Sequence, residues 1–171
     1  MNISESLHDA LNAQIGHEMG ASMQYIQIAT WFDRQALVEL SRFFYRQSEE
    51  EREHAMKLVH FLTDAGGVVA VPAIPAPRAE FADAADCVRA ALAWEEEVTR
   101  QIYGLVEIAT ADSNHLAVRF LDWFVNEQFE EVSSMGALLQ IVERAGNQLL
   151  LVEEHLARAG GKVGNVAAPG D

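Results

Sequence analysis

The side chains best suited to chemistry in this chain are four carboxylates and one histidine, each near the middle of an apolar segment. In each of four segments, the residues at alternating steps of three and four are mainly apolar and form one line along a helix face. Each line contains one glutamate, in order Glu18, Glu51, Glu95 and Glu131. His54 follows Glu51 by about one helical turn on the same line. In a bundle of helices of matched length, all five side chains should lie at a similar depth in the core.

Buried carboxylates need a partner, because an unpaired one loses its hydration or takes up a proton. Four that converge also repel one another, and no Lys or Arg lies on these lines to neutralise them. A bound pair of cations would resolve this conflict, since carboxylates can bridge two metals and His54 adds an imidazole. Oxygen-rich ligation with one imidazole suits iron or manganese better than a structural zinc, which favours Cys and His.

Each of these features has an ordinary interpretation when it is taken alone. A Glu-x-x-His pair such as Glu51 and His54 usually lies on a solvated helix face. A buried histidine is usually a satisfied core residue, and Tyr25 on the first line is compatible with simple packing. Convergence from four helices favours the metal site, because di-metal carboxylate bundles combine one Glu from each of two helices with Glu-x-x-His pairs.

The apolar periodicity predicts an all-α protein, and the sequence shows no alternation typical of strands. Gly66-Gly67 and Gly160-Gly161 are helix stop signals, and Asp112-Ser113-Asn114 is a capping cluster. The predicted helices span residues 4–32, 37–65, 84–111 and 114–145, with a shorter fifth helix over 149–156.

The lengths of the connections predict the topology. Short links near residues 33–36 and 112 make the first and second helices antiparallel, and likewise the third and fourth. The segment 68–83 contains three prolines and cannot be helical as a whole. A helix of about 28 residues is roughly 42 Å long, and extended chain covers about 3.3 Å per residue. The segment can therefore cross the bundle and leave the second and third helices parallel, which predicts the ferritin-like arrangement of four helices with one long crossover.

Bulk properties exclude some classes of function. A chain of 171 residues suits one domain, here residues 1–159, followed by a predicted flexible tail over 160–171. The net charge of −14 argues against a nucleic-acid partner, because phosphate binding needs clustered Lys and Arg. A single cysteine, Cys87, suits a reducing compartment. Without a signal-like or membrane-spanning apolar run, we expect a cytoplasmic protein with no membrane partner.

Several motifs, together with the proline-containing crossover, resemble those of the non-haem bacterial ferritins. They are His17-Glu18, EEEREHAM over 49–56, EEE over 95–97 and FLDWFVNEQFEE over 120–131. The resemblance covers the chain through the short fifth helix. It implies the ferritin-like fold and a protein that oxidises Fe(II) and stores the product as mineral.

The resemblance also implies an oxidation centre, or ferroxidase centre, with two iron positions. Glu51 would reach both irons, and Tyr25 would lie close to the centre. The implied ligands are Glu18, Glu51 and His54 for the first iron, and Glu95 and Glu131, beside Gln128, for the second.

A third, inner iron position is implied by Glu50, Glu127 and Glu130. Each precedes an inward residue by one position and therefore points about 100° away from the core line. That direction suits a transit or nucleation site that faces a cavity. The alternative interpretation is three ordinary exposed glutamates.

Two departures from related families bear on the cofactor. Gln128-x-x-Glu131 stands where bacterioferritins have a second Glu-x-x-His, and Arg52 stands where the haem-bearing relatives have Met. Both argue against haem, although Met56 and Met135 leave a haem-binding bacterioferritin as an alternative. Gln in place of a charged ligand makes the second metal position weaker. A weak position suits iron that is passed on to a mineral better than iron that is kept as a permanent cofactor.

The resemblance implies self-assembly into a cage of twenty-four subunits, with Fe(II) and O2 or peroxide as substrates. The fifth helix would meet its copies at a fourfold axis, and its apolar residues support this. The alternative is that this helix folds back on its own bundle. Two other functions remain as rivals. A second Glu-x-x-His on the inward line of the fourth helix and a cysteine cluster would favour a rubrerythrin-like redox enzyme, but neither is present. A basic tail would favour a DNA-coating shell, but this tail contains only one basic residue, Lys162.

Overall fold

The computed structural model describes residues 3–161 and residue 163. Within this part of the chain there are five helices and no strand, which confirms the predicted fold class. The helix ends differ from the predicted ones by no more than two residues. The helices are α1 (Glu5–Arg34), α2 (Val38–Asp64), α3 (Ala84–Ala111), α4 (His115–Ala145) and α5 (Leu149–Arg158).

Side chains cap three of the long helices at their first turns. Ser4 accepts a hydrogen bond from the backbone N–H of Leu7 at 3.1 Å at the start of α1. Asp83 plays the same role for α3, and Asn114 for α4. Each cap satisfies a backbone donor that the helix itself leaves unpaired. The predicted capping cluster at residues 112–114 therefore does begin a helix.

The start of α2 is capped instead by a side chain from α5. The carboxylate of Glu153 accepts from the backbone N–H groups of Glu39 at 2.8 Å and Leu40 at 2.9 Å. A negative charge at a helix N-terminus is stabilised by these donors and by the helix dipole. α5 thereby docks on its own bundle, where Val152 and Leu156 are buried.

The opposite face of α5 remains apolar and uncovered in the single chain. Leu150 is 76% exposed and Leu151 is 55% exposed. One face of the fifth helix therefore folds back on its own bundle, as one of the two sequence interpretations has it. Contact of the other face with further copies stays a prediction.

The crossover between α2 and α3 runs along α1 and contacts it at successive helical turns. It has no regular secondary structure. Since the contacts advance in the direction of α1, the crossover carries the chain from the end of α2 to the far end of the bundle. α3 therefore runs parallel to α2, as predicted. In order, the contacts join Asn12 with Ala70, Gly16 with Pro72, Gly20 with Ile74 and Gln24 with Arg78.

The hydrophobic core is divided into two clusters along the bundle axis. One cluster includes Leu11, Leu58 and Phe124. The other includes Phe32 and Phe44. The mid-helix carboxylates come between these clusters along every long helix, so a polar layer separates two apolar halves.

The beginning of the predicted tail contacts the bundle. Gly160 and Gly161 have φ values of +63° and +76°, a conformation that glycine adopts without strain. The turn allows Arg46 to donate to the carbonyl of Gly161 at 2.8 Å, and Val163 is buried against the core. The remainder of the predicted tail lies outside the described residues. No helix in the described part of the chain is long and apolar enough to cross a membrane.

Gly16 should be needed for the close approach of the crossover to α1. A Cβ atom at this position would lie 2.3 Å from Cγ of Pro72. We expect Gly16→Ala to destabilise the protein by about 1–3 kcal/mol, the usual cost of overpacking. Thermal or chemical unfolding measures the effect. Gly104→Ala on α3 is the matched control, since nothing lies within 4 Å of its Cβ position. It should be neutral or stabilise by about 0.5–1 kcal/mol, and equal effects of the two changes would contradict this packing argument.

Candidate metal centre

Four helices place their mid-helix polar side chains in one buried layer. Glu18 comes from α1, Glu51 and His54 from α2, Glu95 from α3, and Glu131 from α4, and all five are buried. The helical repeat brings Glu51 and His54 to the same face of α2, because they are separated by three residues. Each helix therefore contributes at least one potential ligand to the same layer.

The ligand atoms of this layer form overlapping groups of three. Within each group, one ligand atom from each residue lies within 4.8 Å of the others. Glu51, His54 and Glu131 each belong to two groups, and of these Glu51 and Glu131 are carboxylates, which can bridge two cations. The groups are Glu18, Glu51 and His54, then Glu51, Glu95 and Glu131, then His54, Glu127 and Glu131.

Five of these ligand atoms are buried and lack a hydrogen-bond partner among the described residues. Both carboxylate oxygens of Glu51 are unpaired, as are Oε2 of Glu18, Oε2 of Glu95 and Nδ1 of His54. Leaving a buried polar atom unsatisfied costs about 1–3 kcal/mol, and more for a charged group. Their number in one layer indicates that a ligand completes the layer, and the oxygen-rich donor set fits divalent iron or manganese.

Burial makes ionisation of these carboxyl groups unfavourable. It is the main reason that the pKa values of Glu18, Glu51 and Glu131 are raised, and for Glu51 and Glu131 the negative charge of Glu95 adds to it. Burial also raises the pKa of Glu95 to about 7, although the hydrogen bond from Tyr25 opposes this shift. Without cations, the layer therefore retains protons at neutral pH. A divalent cation would displace those protons.

His54 is held as a neutral imidazole. Burial, and secondarily the charge of Lys57, lowers the pKa of His54 to about 4. Its Nδ1 lies 3.4 Å from Glu51 Oε2, and its Nε2 lies 3.9 Å from Glu127 Oε1. The ring also packs edge-on against Trp123 at a centroid distance of 5.4 Å. A neutral ring with a free nitrogen facing the carboxylates is the form that binds metals.

Two side chains of the layer are oriented by neighbouring hydroxyl groups. Tyr25, fully buried, donates to Glu95. Burial and the charge of Glu95 raise the pKa of Tyr25 well above 10, so its hydroxyl stays protonated as a donor. The hydroxyl of Thr99 lies 2.9 Å from Oε1 of Gln128 and 2.8 Å from the carbonyl oxygen of Glu95, so its single proton is shared between these two acceptors. The amide oxygen of Gln128, the atom that a cation would bind, therefore faces Thr99.

The three glutamates expected at an inner site line a cavity beside the layer. The cavity has a volume of about 540 Å³. Burial raises the pKa values of Glu50 and Glu127, and the charge of Glu130 raises that of Glu127 further. Of the three, only Glu127 comes close enough to the layer to form a ligand group, and it does so with His54 and Glu131. Arg46 lines the same cavity.

The structure thus brings together all seven residues expected at the centre. It also adds one residue that does not lie on the inward lines of the sequence analysis. Gln14 is buried and donates to Oε1 of Glu18 at 2.8 Å. Its signal in the sequence is a polar residue four positions before Glu18, on the same face of the helix. The seven expected residues are Glu18, Tyr25, Glu51, His54, Glu95, Gln128 and Glu131.

Comparison with known proteins agrees with this arrangement. Residues 8–145 match the model of the ferritin-like domain family. The chain is 40% identical to Ferritin BfrB of Mycolicibacterium smegmatis, over 91% of this chain and 86% of that protein. It is 34% identical to the bacterial non-heme ferritin of Staphylococcus aureus, over 90% of this chain and 95% of that protein.

A solved structure is similar over nearly the same length. The open pore ferritin of Archaeoglobus fulgidus superposes with a TM-score of 0.88 at 31% sequence identity, over 91% of this chain and 98% of that chain. Sequence, fold and buried carboxylate layer lead to the same assignment, and this chain belongs to the ferritin family.

Proposed function

We propose that this protein stores iron, oxidising Fe(II) with O2 or peroxide at the buried layer and holding the ferric product as mineral. Membership of the ferritin family supports iron storage. The main support for ferroxidase activity is the arrangement of the buried ligand atoms. They lie in overlapping groups of three, and several have no hydrogen-bond partner among the described residues. A layer of this kind is costly in the metal-free protein and becomes favourable when cations occupy it.

The side chains bind the two Fe(II) substrates and balance their charge. Glu18, Glu51 and His54 hold the first, while Glu51, Glu95 and Glu131 hold the second. Each Fe(II) gives up one electron to the oxidant. The carboxyl groups lose their protons when Fe(II) binds, and these protons leave the layer. The resulting carboxylates then stabilise the higher charge of the ferric products. Tyr25 keeps Glu95 in place through its hydrogen bond.

The inner carboxylates provide an exit for the ferric product. Glu131 belongs both to the second metal position and to the group with His54 and Glu127. Glu127, Glu130 and Glu50 then line the adjacent cavity. This arrangement supports a third iron position on the way from the centre to the mineral.

The mineral requires an enclosed volume, which a single bundle does not provide. The uncovered leucines of α5 suit contacts between copies, because exposed apolar surface of this kind marks interaction sites. We therefore propose that the protein assembles into a closed cage, and we expect twenty-four subunits.

Iron loading followed by size-exclusion chromatography tests storage. After aerobic addition of excess Fe(II), we expect far more than two iron atoms per subunit to elute with a particle many times the subunit mass. About two per subunit on a small oligomer would indicate a fixed di-iron enzyme instead. The control for assembly is the double change Leu150→Asp and Leu151→Asp, at positions exposed in the single chain. It should leave the helical content unchanged while the large particle is lost.

Removing a ligand of the first position should slow Fe(II) oxidation. We expect Glu18→Ala and His54→Ala each to lower the initial rate by at least about tenfold, since even changes beyond the direct ligands cost about 10–100-fold. The rate is measured by oxygen consumption in aerobic buffer. Glu53→Ala is the matched control, because Glu53 adjoins His54 but is exposed. Unchanged rates for both ligand variants would contradict the assignment of this position.

The metal-free protein should lose stability as the pH rises through the range in which the layer ionises. The pKa of Glu95 is about 7 in the folded protein against an ordinary value of 4.5, so the folded state binds more protons between these values. Its stabilising contribution is fully present below about pH 4.5 and is lost as the pH rises through about 7. One pKa unit corresponds to about 1.4 kcal/mol, and 1 kcal/mol moves the Tm of a chain this size by about 2–4 °C.

Glu95→Gln isolates this contribution, because the amide keeps the shape of the side chain without titrating. Between about pH 5.5 and pH 8, the Tm of the wild-type apoprotein should fall by at least about 3 °C more than that of the variant. Calorimetry in chelator-treated buffers measures both. Parallel Tm curves would show that Glu95 is already ionised at the lower pH.

A further inference from the structure

Gln14 is a buried amide that, among the described residues, donates a hydrogen bond to Glu18, a proposed metal ligand. It lies on α1 one turn before Glu18 and is 2% exposed. Its Nε2 donates to Oε1 of Glu18 at 2.8 Å. Oε2 of Glu18 has no partner among the described residues. The amide therefore distinguishes the two carboxylate oxygens, because it holds Oε1 and leaves Oε2 without a partner.

The oxygen of this amide faces the surface side of α1. Oε1 of Gln14 lies 3.5 Å from Nδ1 of His17, which is the donor when it carries the proton. His17 is exposed and borders a cavity between α1 and α3, beside Trp94. With the amide oxygen directed to His17, the NH2 group is the end that faces Glu18. The three side chains form one line from the surface to the metal layer.

We propose that Gln14 is a positioning residue for the first metal position, and that His17 fixes the direction of its amide. This inference rests on the proposed ferroxidase centre. Hydrogen bonds to metal ligands orient the ligand, and their removal typically lowers metal affinity about 10–100-fold. With a cation bound, Glu18 is ionised, and a hydrogen bond to an ionised carboxylate is about twice as strong as one between neutral groups, so this contact restricts Glu18 effectively.

A second buried glutamine on the same helix shows what a purely architectural amide looks like. Gln24 donates to the carbonyl of Arg78 at 3.0 Å and accepts from its N–H at 2.8 Å. Both contacts fasten the crossover to α1 and neither reaches the metal layer. Gln14, by contrast, makes no hydrogen bond to the crossover among the described residues. The two glutamines therefore separate positioning from architecture within one helix.

Anaerobic titration with Co(II), a spectroscopic probe for Fe(II), tests the proposal on the full chain. Gln14→Met keeps the length of the side chain and removes the donor. We expect about a tenfold loss of affinity confined to the first position, together with a shift of its visible absorption band. The position formed with Glu95 and Glu131 should keep its affinity.

Matched variants separate this role from general stability. Gln24→Met should lower the Tm without changing the Co(II) band or the affinity of either position. His17→Ala should give a smaller loss at the first position, and His60→Ala, at another exposed histidine, should give none. If Gln14→Met yields no soluble protein, Gln14→Asn is measured in its place. Its amide is one methylene shorter and should show the same loss.

Glu18→Ala distinguishes failure of this inference from failure of the proposed function. If Glu18→Ala binds Co(II) as the wild type does, the assignment of the first position is wrong. If Glu18→Ala loses that position while Gln14→Met keeps the wild-type affinity and band, the ferroxidase centre stands and the positioning role of Gln14 is overturned.

Discussion

The constraint on which this structure depends is the burial of four carboxyl groups close together halfway along the bundle. Desolvation opposes ionisation of Glu18, Glu51, Glu95 and Glu131, and proximity opposes it further for Glu51 and Glu131. An apolar layer at this depth would be more stable in the metal-free chain. The polar layer is tolerated because apolar packing closes on both sides of it, as in the stacked rings of Phe32 and Phe44 at 5.6 Å and of Phe61 and Phe120 at 4.0 Å.

Metal binding requires that the four helices stay in register along the bundle axis. Two sets of contacts outside the layer keep this register. The crossover follows α1 through four successive turns, which ties the level of α3 to that of α1. The carboxylate of Glu153 fixes the first turn of α2. A shift of one residue along a helix moves a side chain by about 1.5 Å along the axis and about 100° around it. Glu51 would then leave one of its two ligand groups.

The sequence predicts those parts of the centre that follow from helical periodicity. Glu18, Glu51, Glu95 and Glu131 could be identified because each interrupts an apolar line, and the proline-containing crossover fixed the topology. The partners of these ligands were harder to predict. Gln14 carries only a weak signal one turn away, and the pairing of Thr99 with Gln128 depends on how α3 and α4 rotate against each other. The contact of Arg46 with Gly161 joins residues far apart in the chain, and no local pattern encodes it.

The two sides of the metal layer differ in charge, and this difference gives the proposed reaction a direction. Toward the surface between α1 and α3, Glu18 is followed by the neutral amide of Gln14 and then by His17. Toward α2 and α4, Glu131 is followed by carboxylates that line a cavity. Oxidation raises the charge of each iron, so the product is attracted to carboxylates more strongly than Fe(II) is. Under the proposed function, the ferric product would therefore move toward the α2–α4 side, because Glu131 and Glu127 continue the layer directly into the carboxylate-lined cavity there.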